Sequence, residues 1–450
     1  MGKYFGTDGF RGEVNIDLNP IHAYLIGSFF GNLANKVSGD DAKVVIGSDT
    51  RKSGDMLVNA LVSGVTAAGS NCYVLGTVPT PGVAFVTRNF DFDFGVMVSA
   101  SHNPFYDNGI KVLNSNGEKL SDDIIDKCEK YIDAGPEKAI LAKKENIGTS
   151  KGYRGSHLSY IHSLKNCVNH KFKGLKIALD CANGSASDFA GELFTSLGAN
   201  VEVFHNDPNG ININVNCGST HIETLGKYVR GGNFDMGFAF DGDADRCLAV
   251  DKNGNEVNGD ALMFLCARRF KKEGRLDNNT VVTTIMSNFG LYKAFDKLGI
   301  DYVKTAVGDR YVYENMLNNG HILGGEQSGH IIFKDFATTG DGMLTALVVT
   351  DSLIEMGETL DEAVKDLKMY PQVLKNVTVD SKETTMQDTA VKKAVEEAEK
   401  MLKGDGRVLV RPSGTEPYVR VMAEASTDEL CEKAVNSVIE VMKKQGHVVK

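Results

Sequence analysis

The chain has 450 residues, which is too long for one ordinary hydrophobic core and suggests three or four domains. Hydrophobic residues make up 42% and charged residues 24% of it, values typical of a globular protein and not of a disordered or fibrous one. The formal net charge of -10 excludes a basic nucleic-acid binder, so an anionic ligand must be met by local positive side chains.

Cysteine usage and hydropathy suggest a compartment. The eight cysteines are scattered, without a C-x-x-C pair or a secretory leader that would favour a disulfide framework. No apolar stretch reaches the roughly 20 residues of a membrane helix. The sequence therefore predicts a cytoplasmic protein with neither a membrane nor a nucleic-acid partner.

One order of elements recurs three times along the chain: strand, helix, strand, strand and polar loop. Alternating strands and helices favour largely parallel sheets, in which ligands bind beyond the carboxyl ends of the strands. We therefore expect the three polar loops to line one cleft. The predicted strands are 43–47, 72–75, 94–98, 175–179, 201–204, 236–240, 280–285, 302–304 and 321–323, and the helices are 55–68, 189–197 and 291–298.

The last segment has a different pattern, typical of a small α+β domain. Its strands are predicted at 373–379, 407–410 and 418–424, and its helices at 386–402 and 428–443. Together with the turns and polar stretches between segments, this pattern predicts four domains. Their ranges are 1–153, 154–253, 254–368 and 369–450.

The loop DGDADR follows the strand predicted at 236–240 and carries Asp241, Asp243 and Asp245 at alternate positions. Carboxylates about 5 Å apart repel one another by about 3 kcal/mol per pair at an effective dielectric of about 20. A hard divalent cation removes this repulsion, and oxygen ligands favour magnesium or calcium over zinc. The loop therefore predicts a metal site.

Three other interpretations of this loop were compared. A calcium EF-hand is excluded, because Arg246 stands where the loop needs Gly and Lys252 where it needs Glu. A phosphatase with an aspartyl nucleophile also has D-x-D after an apolar strand, but that family carries Thr or Val in place of Asp245. A solvated acidic turn remains the purely structural alternative.

The loop SASHNP, from Ser99 to Pro104, offers Ser101 as a nucleophile. A serine attacks phosphate poorly unless a metal neutralises the attacked group and a base takes the proton. His102 and Lys111 are candidate proton carriers. A capped turn would explain the same residues without any chemistry, because proline keeps the preceding residue extended.

The loop GGEQSGH offers Glu326 and Ser328 between glycines that let the backbone approach a ligand closely. This arrangement suits sugar hydroxyls, although a glycine-rich turn with an exposed glutamate is common.

The loop RPSGTEP is predicted to bind an anion. Arg411 and Arg420 can each bind phosphate through two hydrogen bonds, and Ser413, Thr415 and the amide of Gly414 add donors. A structural turn with an ion-paired arginine is the alternative.

These four loops, with GTDGFRG at residues 6–12, closely resemble the α-D-phosphohexomutase superfamily over the whole chain. The start MGKYFGTDGFRG, the loop GGEQSGH and GDR at residues 308–310 look most like the bacterial phosphoglucosamine mutases. Phosphoglucomutases and phosphomannomutases usually carry Met or Glu in place of Gln327. The resemblance implies three related α/β domains with mixed, largely parallel sheets and a C-terminal α+β domain, heart-shaped around a central cleft.

The resemblance also implies a reaction. A phosphorylated serine gives its phosphoryl group to a sugar monophosphate, forms a 1,6-bisphosphate, and takes the other phosphate back, with one Mg²⁺ per chain as cofactor. The implied substrate is glucosamine 6-phosphate, converted to glucosamine 1-phosphate. The implied roles are Ser101 as phosphoserine; Asp241, Asp243 and Asp245 with the serine phosphate as Mg²⁺ ligands; Glu326 and Ser328 on sugar hydroxyls; Arg411, Ser413, Gly414, Thr415 and Arg420 on the other phosphate; Lys111, His102 and His330 as acid/base candidates; and Thr7, Arg11 and Arg246 beside the transferred phosphate.

Several alternatives remain open. A phosphoglucomutase or phosphomannomutase of the same superfamily differs only in its preferred sugar. A metal-dependent phosphatase would release phosphate to water, and a non-catalytic phosphosugar-binding protein could dispense with Ser101 and Lys111, which this chain retains. The expected assembly is a monomer or a homodimer.

Overall fold

The computed structural model describes residues 2–153, 155–413 and 418–449. The chain forms two compact units, one of Met1–Met286 with Ile300–Lys365 and the other of Ser287–Gly299 with Asp366–Lys450. Among the described residues, none of the helices combines the length and the apolar character needed to cross a membrane.

The first sheet has seven strands. Its elements are β1 (Phe5–Gly6), β2 (Gly9–Glu13), α1 (Pro20–Ser38), β3 (Lys43–Ser48), α2 (Gly54–Ala67), β4 (Asn71–Thr77), α3 (Thr80–Asn89), β5 (Phe94–Val98), β6 (Asp107–Asn114), α4 (Asp122–Ala134) and β7 (Ser150–Gly152). The spatial order is β1-β2-β6-β5-β3-β4-β7, with β5, β3, β4 and β7 parallel and β6 antiparallel to β5. Every residue of β5 is buried, as expected of a strand covered on both faces.

The second sheet has five strands in the order β12-β11-β10-β8-β9. Its elements are α5 (Ser156–Lys165), β8 (Lys176–Asp180), α6 (Ala190–Ser196), β9 (Asn200–Phe204), α7 (Ile222–Gly232), β10 (Met236–Phe240), β11 (Cys247–Asp251) and β12 (Glu256–Val257). Strand β8 is parallel to β9 and β10, and β11 is antiparallel to β10.

The third sheet has four strands in the order β14-β13-β15-β16. The elements of this part of the chain are α8 (Gly259–Lys272), β13 (Thr280–Thr284), α9 (Phe289–Leu298), β14 (Asp301–Thr305), α10 (Asp309–Asn319), β15 (Leu323–Gly325), β16 (Ile331–Phe333), α11 (Gly342–Met356) and α12 (Leu360–Val364). Strand β13 is parallel to β14 and β15, and β16 returns antiparallel to β15.

The three sheets share one topology, visible as β4-β3-β5-β6, β9-β8-β10-β11 and β14-β13-β15-β16. In each, three parallel strands are followed by a strand that returns antiparallel beside the third. The connection between the third strand and the returning strand is the polar loop singled out in the sequence. The three predicted loops therefore occupy equivalent positions at the carboxyl end of a buried parallel strand, where α/β sheets bind ligands.

The sequence predicts two strands in direct succession in each repeat, and this is wrong. The structure inserts a helix between them, namely α3, α7 and α10. Two consecutive strands that run parallel in one sheet need a crossover connection, because a tight turn can join only antiparallel strands. Helix α3 was hidden by its start Thr80-Pro81-Gly82, although proline is well tolerated in the first turn of a helix.

The second unit contains a three-stranded antiparallel sheet in the order β17-β19-β18. Its further elements are β17 (Gln372–Thr378), α13 (Lys382–Gln387), α14 (Thr389–Met401), β18 (Gly406–Pro412), β19 (Tyr418–Ala425) and α15 (Asp428–Lys444). The helix predicted at 386–402 is two helices, because Asp388 ends α13 and its carboxylate caps α14 by accepting from Ala390 N at 2.6 Å.

Helix α9 belongs to this second unit, which the sequence did not indicate. The Asn288 side chain, at the start of α9, donates to the Tyr370 carbonyl and accepts from the Tyr370 amide, both at 2.9 Å. Phe289 N donates to the Glu424 carboxylate at 2.9 Å, and an Arg407 Nη donates to the Ser287 carbonyl at 2.6 Å. These bonds join residues more than 80 positions apart, so no local pattern could reveal them.

Candidate active site

Ser101 lies three residues beyond the end of β5 in an unusual backbone conformation. Its φ is +52°, the left-handed region that costs a side-chain-bearing residue about 1–2 kcal/mol. The residue is 1% exposed, and its hydroxyl donates a hydrogen bond to Asp241 Oδ2. Strain at a buried, reactive side chain is typical of a functional turn that the surrounding structure enforces.

Four side chains hold this turn. Ser101 N donates to Ser99 Oγ at 2.9 Å, and Ser99 Oγ donates to Asp49 Oδ2 at 2.7 Å. The Ser101 carbonyl accepts from an Arg51 Nη at 2.8 Å and from Asn214 Nδ2 at 2.9 Å. Hydrogen bonds therefore fix the serine at both its amide nitrogen and its carbonyl oxygen.

Asp49 and Arg51 support the turn as a buried ion pair that the sequence analysis did not identify. Their side chains are 0% exposed and meet at 2.9 Å. Burial raises the pKa of the Asp49 carboxyl despite the neighbouring Arg51. The available signal was the charged segment SDTR directly after β3, at the same edge of the sheet as the serine loop.

The predicted carboxylates do converge. Asp241, Asp243 and Asp245 offer one oxygen each within 4.8 Å of one another, and their exposed fractions are 0%, 0% and 4%. Asp243 Oδ2 accepts from Thr80 Oγ1 at 2.5 Å and from Lys111 Nζ at 2.8 Å. Within the described parts of the chain, the Oδ1 atoms of Asp243 and Asp245 are buried without a hydrogen-bond donor. Buried oxygens left in this way fit the ligands of a hard cation.

The protonation of the cluster supports the same conclusion. Burial, with the charges of Asp245 and Asp243, raises the pKa of Asp241 well above its usual range. Burial also acts to raise the pKa of Asp243, but Lys111 outweighs it and lowers that pKa to about 2. The protein's own cations therefore neutralise part of the cluster, and a divalent ion would supply the missing charge.

Lys111, on β6, is the main internal counter-charge. Its Nζ lies 2.8 Å from Asp243, 3.0 Å from Asp8 and 3.4 Å from Asp245. Burial acts to lower the pKa of this ammonium group, but the three carboxylates outweigh burial and raise it. In this arrangement Lys111 is a protonated group that can donate a proton beside the serine loop.

His102 lies next to the serine hydroxyl as the sequence predicts. Its Nδ1 is 3.5 Å from Ser101 Oγ and accepts from an Arg246 Nη at 3.1 Å. Burial, followed by the charges of Arg246 and Arg11, lowers the pKa of His102 to about 4. The imidazole is therefore neutral at pH 7 and can accept a proton there but not supply one.

His330 is buried and oriented by its neighbours. Its Nε2 accepts from Gly340 N at 2.9 Å and lies 3.4 Å from Asp309 Oδ2. Its Nδ1 lies 3.6 Å from Asp245 Oδ2. Because Nε2 is an acceptor, the hydrogen bonds assign the ring proton to Nδ1, on the side of the acidic cluster.

A cavity of about 210 Å³ brings six of the predicted residues together. Glu326 is held there by Gly308 N, which donates to its Oε1 at 2.9 Å. Ser328 is exposed and does not line this cavity. The predicted residues in the lining are Thr7, Arg11, Asp245, Arg246, Glu326 and His330, and the others are Asp8, Val307, Gly308 and Asp309.

The sequence analysis also missed an ion-pair chain across this region. Lys119 Nζ lies 2.9 Å from Asp8 and 2.7 Å from Asp309, and Asp8 in turn contacts Arg11 and Lys111. Asp8 lies in GTDGFRG and Asp309 in GDR, two motifs whose carboxylates received no role. Their contacts join segments that are far apart in the chain.

The predicted phosphate-binding loop lies in the second unit. The register of β18 and β19 places Arg411 directly opposite Arg420, and burial followed by the Arg420 charge lowers the Arg411 pKa. Like charges at paired positions disfavour a sheet, so an anion would stabilise this hairpin. The buried Ser413 carbonyl accepts from Lys382 Nζ at 2.7 Å, a cation that the sequence analysis missed. Gly414 and Thr415 lie outside the described residues.

Comparison with protein families gives the class of this fold and site. Four models of phosphoglucomutase/phosphomannomutase domains match in order: α/β/α domain I at residues 2–139, domain II at 158–254, domain III at 258–370 and the C-terminal domain at 374–441. The chain belongs to the phosphoglucomutase/phosphomannomutase family. This confirms the predicted superfamily, the four-domain α/β fold with mixed sheets and the predicted enzyme class, a phosphohexomutase.

Individual relatives narrow the comparison. The chain is 51% identical over 450 residues to a phosphoglucosamine mutase of Lachnospira eligens, covering 100% of both chains. It is 50% identical over 448 residues to a phosphoglucosamine mutase of Lachnoclostridium phytofermentans, again covering 100% of both. A crystal structure of a phosphoglucomutase/phosphomannomutase family protein from Burkholderia thailandensis has a TM-score of 0.82 at 23% identity, covering 99% of this chain and 98% of that one. The relatives thus carry the name that the sequence predicted within the superfamily.

Proposed function

We propose that this protein interconverts glucosamine 6-phosphate and glucosamine 1-phosphate through phosphorylated Ser101 and a glucosamine 1,6-bisphosphate intermediate. The observation that carries the chemistry is the buried Ser101 hydroxyl, hydrogen-bonded to Asp241 in a cluster of three carboxylates, two of whose oxygens have no donor among the described residues. The choice of sugar is supported by the relatives that are about half identical over the full length and are named phosphoglucosamine mutase.

Asp241, Asp243 and Asp245, together with the phosphate on Ser101, would hold one Mg²⁺. When bound, this ion supplies positive charge that neutralises the phosphoryl oxygens. The donor set fits magnesium because it consists of oxygens only and includes two buried oxygens that have no hydrogen-bond donor among the described residues.

The chain's own residues position and protonate the reacting groups. In the first transfer the bond between phosphorus and Ser101 Oγ breaks, and a bond forms to the free hydroxyl of the bound monophosphate. The sugar hydroxyl loses its proton and Ser101 Oγ gains one. His102, 3.5 Å from Oγ, and Lys111, bonded to Asp243 of the cluster, are two candidates for carrying these protons. His330 is the third candidate.

The second transfer reverses the first after the bisphosphate has turned end for end. Arg11 and Arg246, in the 210 Å³ cavity, would neutralise the transferred phosphate, with Thr7 beside it. Glu326 and Ser328 would bind sugar hydroxyls in either orientation. Arg411, Ser413, Gly414, Thr415 and Arg420 would bind the phosphate that is not being transferred.

We retain as part of the proposal the four domains at 1–153, 154–253, 254–368 and 369–450. Their support is that each sheet draws its strands from one of these ranges, apart from the short β12. A cytoplasmic location and a monomeric or homodimeric assembly stay predictions.

The proposal is tested by supplying the 6-phosphates of glucosamine, glucose and mannose in parallel, with Mg²⁺ and the matching 1,6-bisphosphate as activator. The 1-phosphates formed and the free phosphate released are both measured. We expect the highest kcat/KM for glucosamine 6-phosphate and little free phosphate. A tenfold advantage for glucose or mannose would reject the sugar and favour a phosphoglucomutase or phosphomannomutase. Release of one phosphate per sugar consumed would indicate a phosphatase, and no turnover a binding protein.

A further inference from the structure

The second sheet carries another group of side chains able to bind a metal. Asp180 is the last residue of β8, His205 directly follows β9, and Cys217 lies in the connection that leads to α7. One donor atom of each lies within 4.8 Å of the other two. None of the three belongs to the acidic cluster beside Ser101.

Two of these donor atoms form a shielded ion pair. Asp180 Oδ2 and His205 Nδ1 lie 3.0 Å apart, and both atoms are buried. The other oxygen of Asp180 accepts from Ala182 N at 2.9 Å. Asp180 is 0% exposed, so its carboxylate faces the cluster and not solvent. A carboxylate and an imidazole held this close can share one metal ion, which then takes the place of the contact between them.

The third donor is a sulfur atom. Cys217 is 0% exposed, and its Sγ accepts a long contact of 3.9 Å from Asn183 Nδ2. A metal that binds the Cys217 thiolate displaces the thiol proton to solvent, as metals do at structural cysteines.

We propose that Asp180, His205 and Cys217 form a second metal site that binds Zn²⁺. Zinc takes carboxylate oxygen, imidazole nitrogen and thiolate sulfur as ligands, whereas magnesium and calcium avoid the last two. Three protein ligands leave a fourth position of a tetrahedral ion open. The His205 side chain is 25% exposed, which provides an entry path.

The site adjoins the segments that hold the serine loop. Asn183, three residues after Asp180, accepts a hydrogen bond from Thr50 Oγ1 at 2.6 Å through its carbonyl. Asn214, three residues before Cys217, donates to the Ser101 carbonyl at 2.9 Å. Zinc bound by the cluster would tie these two segments together, and so stabilise the side of the active site that contacts Ser101.

The test uses the full chain, reduced and stripped of metal. Co²⁺ is added first, because a cobalt–thiolate bond produces a charge-transfer band that oxygen ligands do not. Zn²⁺ is then titrated against the cobalt and against a chromophoric chelator. We expect the thiolate band to be complete at one equivalent of Co²⁺. Zn²⁺ should displace this Co²⁺, and binding of the metal should release a proton.

Matched variants locate the site. Cys217→Ser should abolish the thiolate band and weaken Zn²⁺ binding at least tenfold, and His205→Gln should also weaken it at least tenfold. Cys266→Ser, which changes a buried cysteine outside the cluster, should retain both. Asp243→Asn, which alters the acidic cluster beside Ser101, should retain the thiolate band.

Thermal unfolding gives a second measurement in case Cys217→Ser does not fold. Zn²⁺ at about 100 times its wild-type Kd should raise the Tm of the wild type by several degrees and that of His205→Gln by at most about half as much. The proposal is overturned if the wild type binds no Zn²⁺, if the thiolate band persists in Cys217→Ser or is lost in Asp243→Asn, or if His205→Gln is stabilised as much as the wild type.

Discussion

The loop cluster around Ser101 and the β18–β19 hairpin gather side chains of opposite charge. The first gathers three buried carboxylates, and two of their oxygens have no donor in the part of the chain that the structure describes. In the second, Arg411 of β18 lies opposite Arg420 of β19, and Lys382 donates a hydrogen bond to the carbonyl of Ser413. Each arrangement carries a cost in the empty protein.

The comparison shows that the sign of the charge gathered in a region indicates the charge of the ligand that it binds. A buried group of acids is stabilised by a cation, and a pair of arginines by a phosphate. In each region, binding of the ligand offsets the repulsion between like charges. The two regions should therefore respond to mutation in different ways, the first through turnover and the second through substrate affinity.

The largest effect should follow removal of the nucleophile in the first region. Ser101→Ala should lower kcat by about 10³-fold or more, because the variant lacks the hydroxyl that carries the phosphoryl group in the proposed mechanism. The coupled formation of sugar 1-phosphate measures this, and peptide mass analysis of active wild type should find one phosphate on the SASHNP peptide. Ser63→Ala, an exposed helical serine, should stay fully active. Full activity of Ser101→Ala would remove the phosphoserine mechanism.

The next largest effect concerns the negative charge of the first region. Asp243→Asn keeps the shape but removes one negative charge, so metal affinity and kcat should each fall by about 100-fold. Chelator-treated wild type should be inactive until Mg²⁺ is restored. Asp207→Asn, an exposed change of the same type, serves as the control. Chelator-treated protein that worked as well as untreated protein would refute the metal assignment.

The positive charge of the second region is tested with Arg420→Ala. Loss of a charge-assisted contact to phosphate, worth about 1.5–3 kcal/mol, should raise the apparent KM roughly ten- to a hundred-fold. The free energy of unfolding without ligand should change by less than about 1 kcal/mol, because the variant also removes a like-charge pair. Lys433→Ala, which removes an exposed charge of the same unit, should alter neither value. Unchanged kinetics on every phosphosugar would contradict the assigned role.

The smallest expected effect is on the pH dependence of the free energy of unfolding, through Asp341. Asp341 caps α11 and accepts from Tyr160 Oη at 2.9 Å, and burial raises its pKa to about 6. Because the folded-state pKa exceeds the usual value near 4, the contribution of this group to stability is present below about pH 4 and lost as pH rises through about 6.

Asp341→Asn retains a good cap but cannot ionise. Its free energy of unfolding relative to wild type should therefore rise by about 1 kcal/mol between pH 5 and pH 8. Urea unfolding at the two pH values measures this difference. The exposed Asp40→Asn should show no such trend, and an equal trend in both variants would reject the explanation.

The sequence by itself determined the family, the mixed α/β fold, most strands to within one or two residues, and the polar loops. These features are local: a buried strand is an apolar run, and a reactive loop directly follows it. The sequence also predicts that the loops of Ser101 and the aspartates line one cleft, but these loops follow β5 and β10, which belong to different sheets, so only the packing of the two sheets brings Ser101 and Asp241 together.

Only the tertiary structure decided which charges balance the site. Lys111 and Asp243 are 132 positions apart, and Lys119 and Asp309 are 190 apart. The Asp49–Arg51 pair is local, but its role depends on Arg51 reaching the carbonyl of Ser101, 50 residues away. The crossover helices were missed for a related reason, since the need for them arises from which strands run parallel in the same sheet. Burial and pairing depend on the packed chain, so the protonation of His102 and of Asp241 could not be read from residues that are adjacent in sequence.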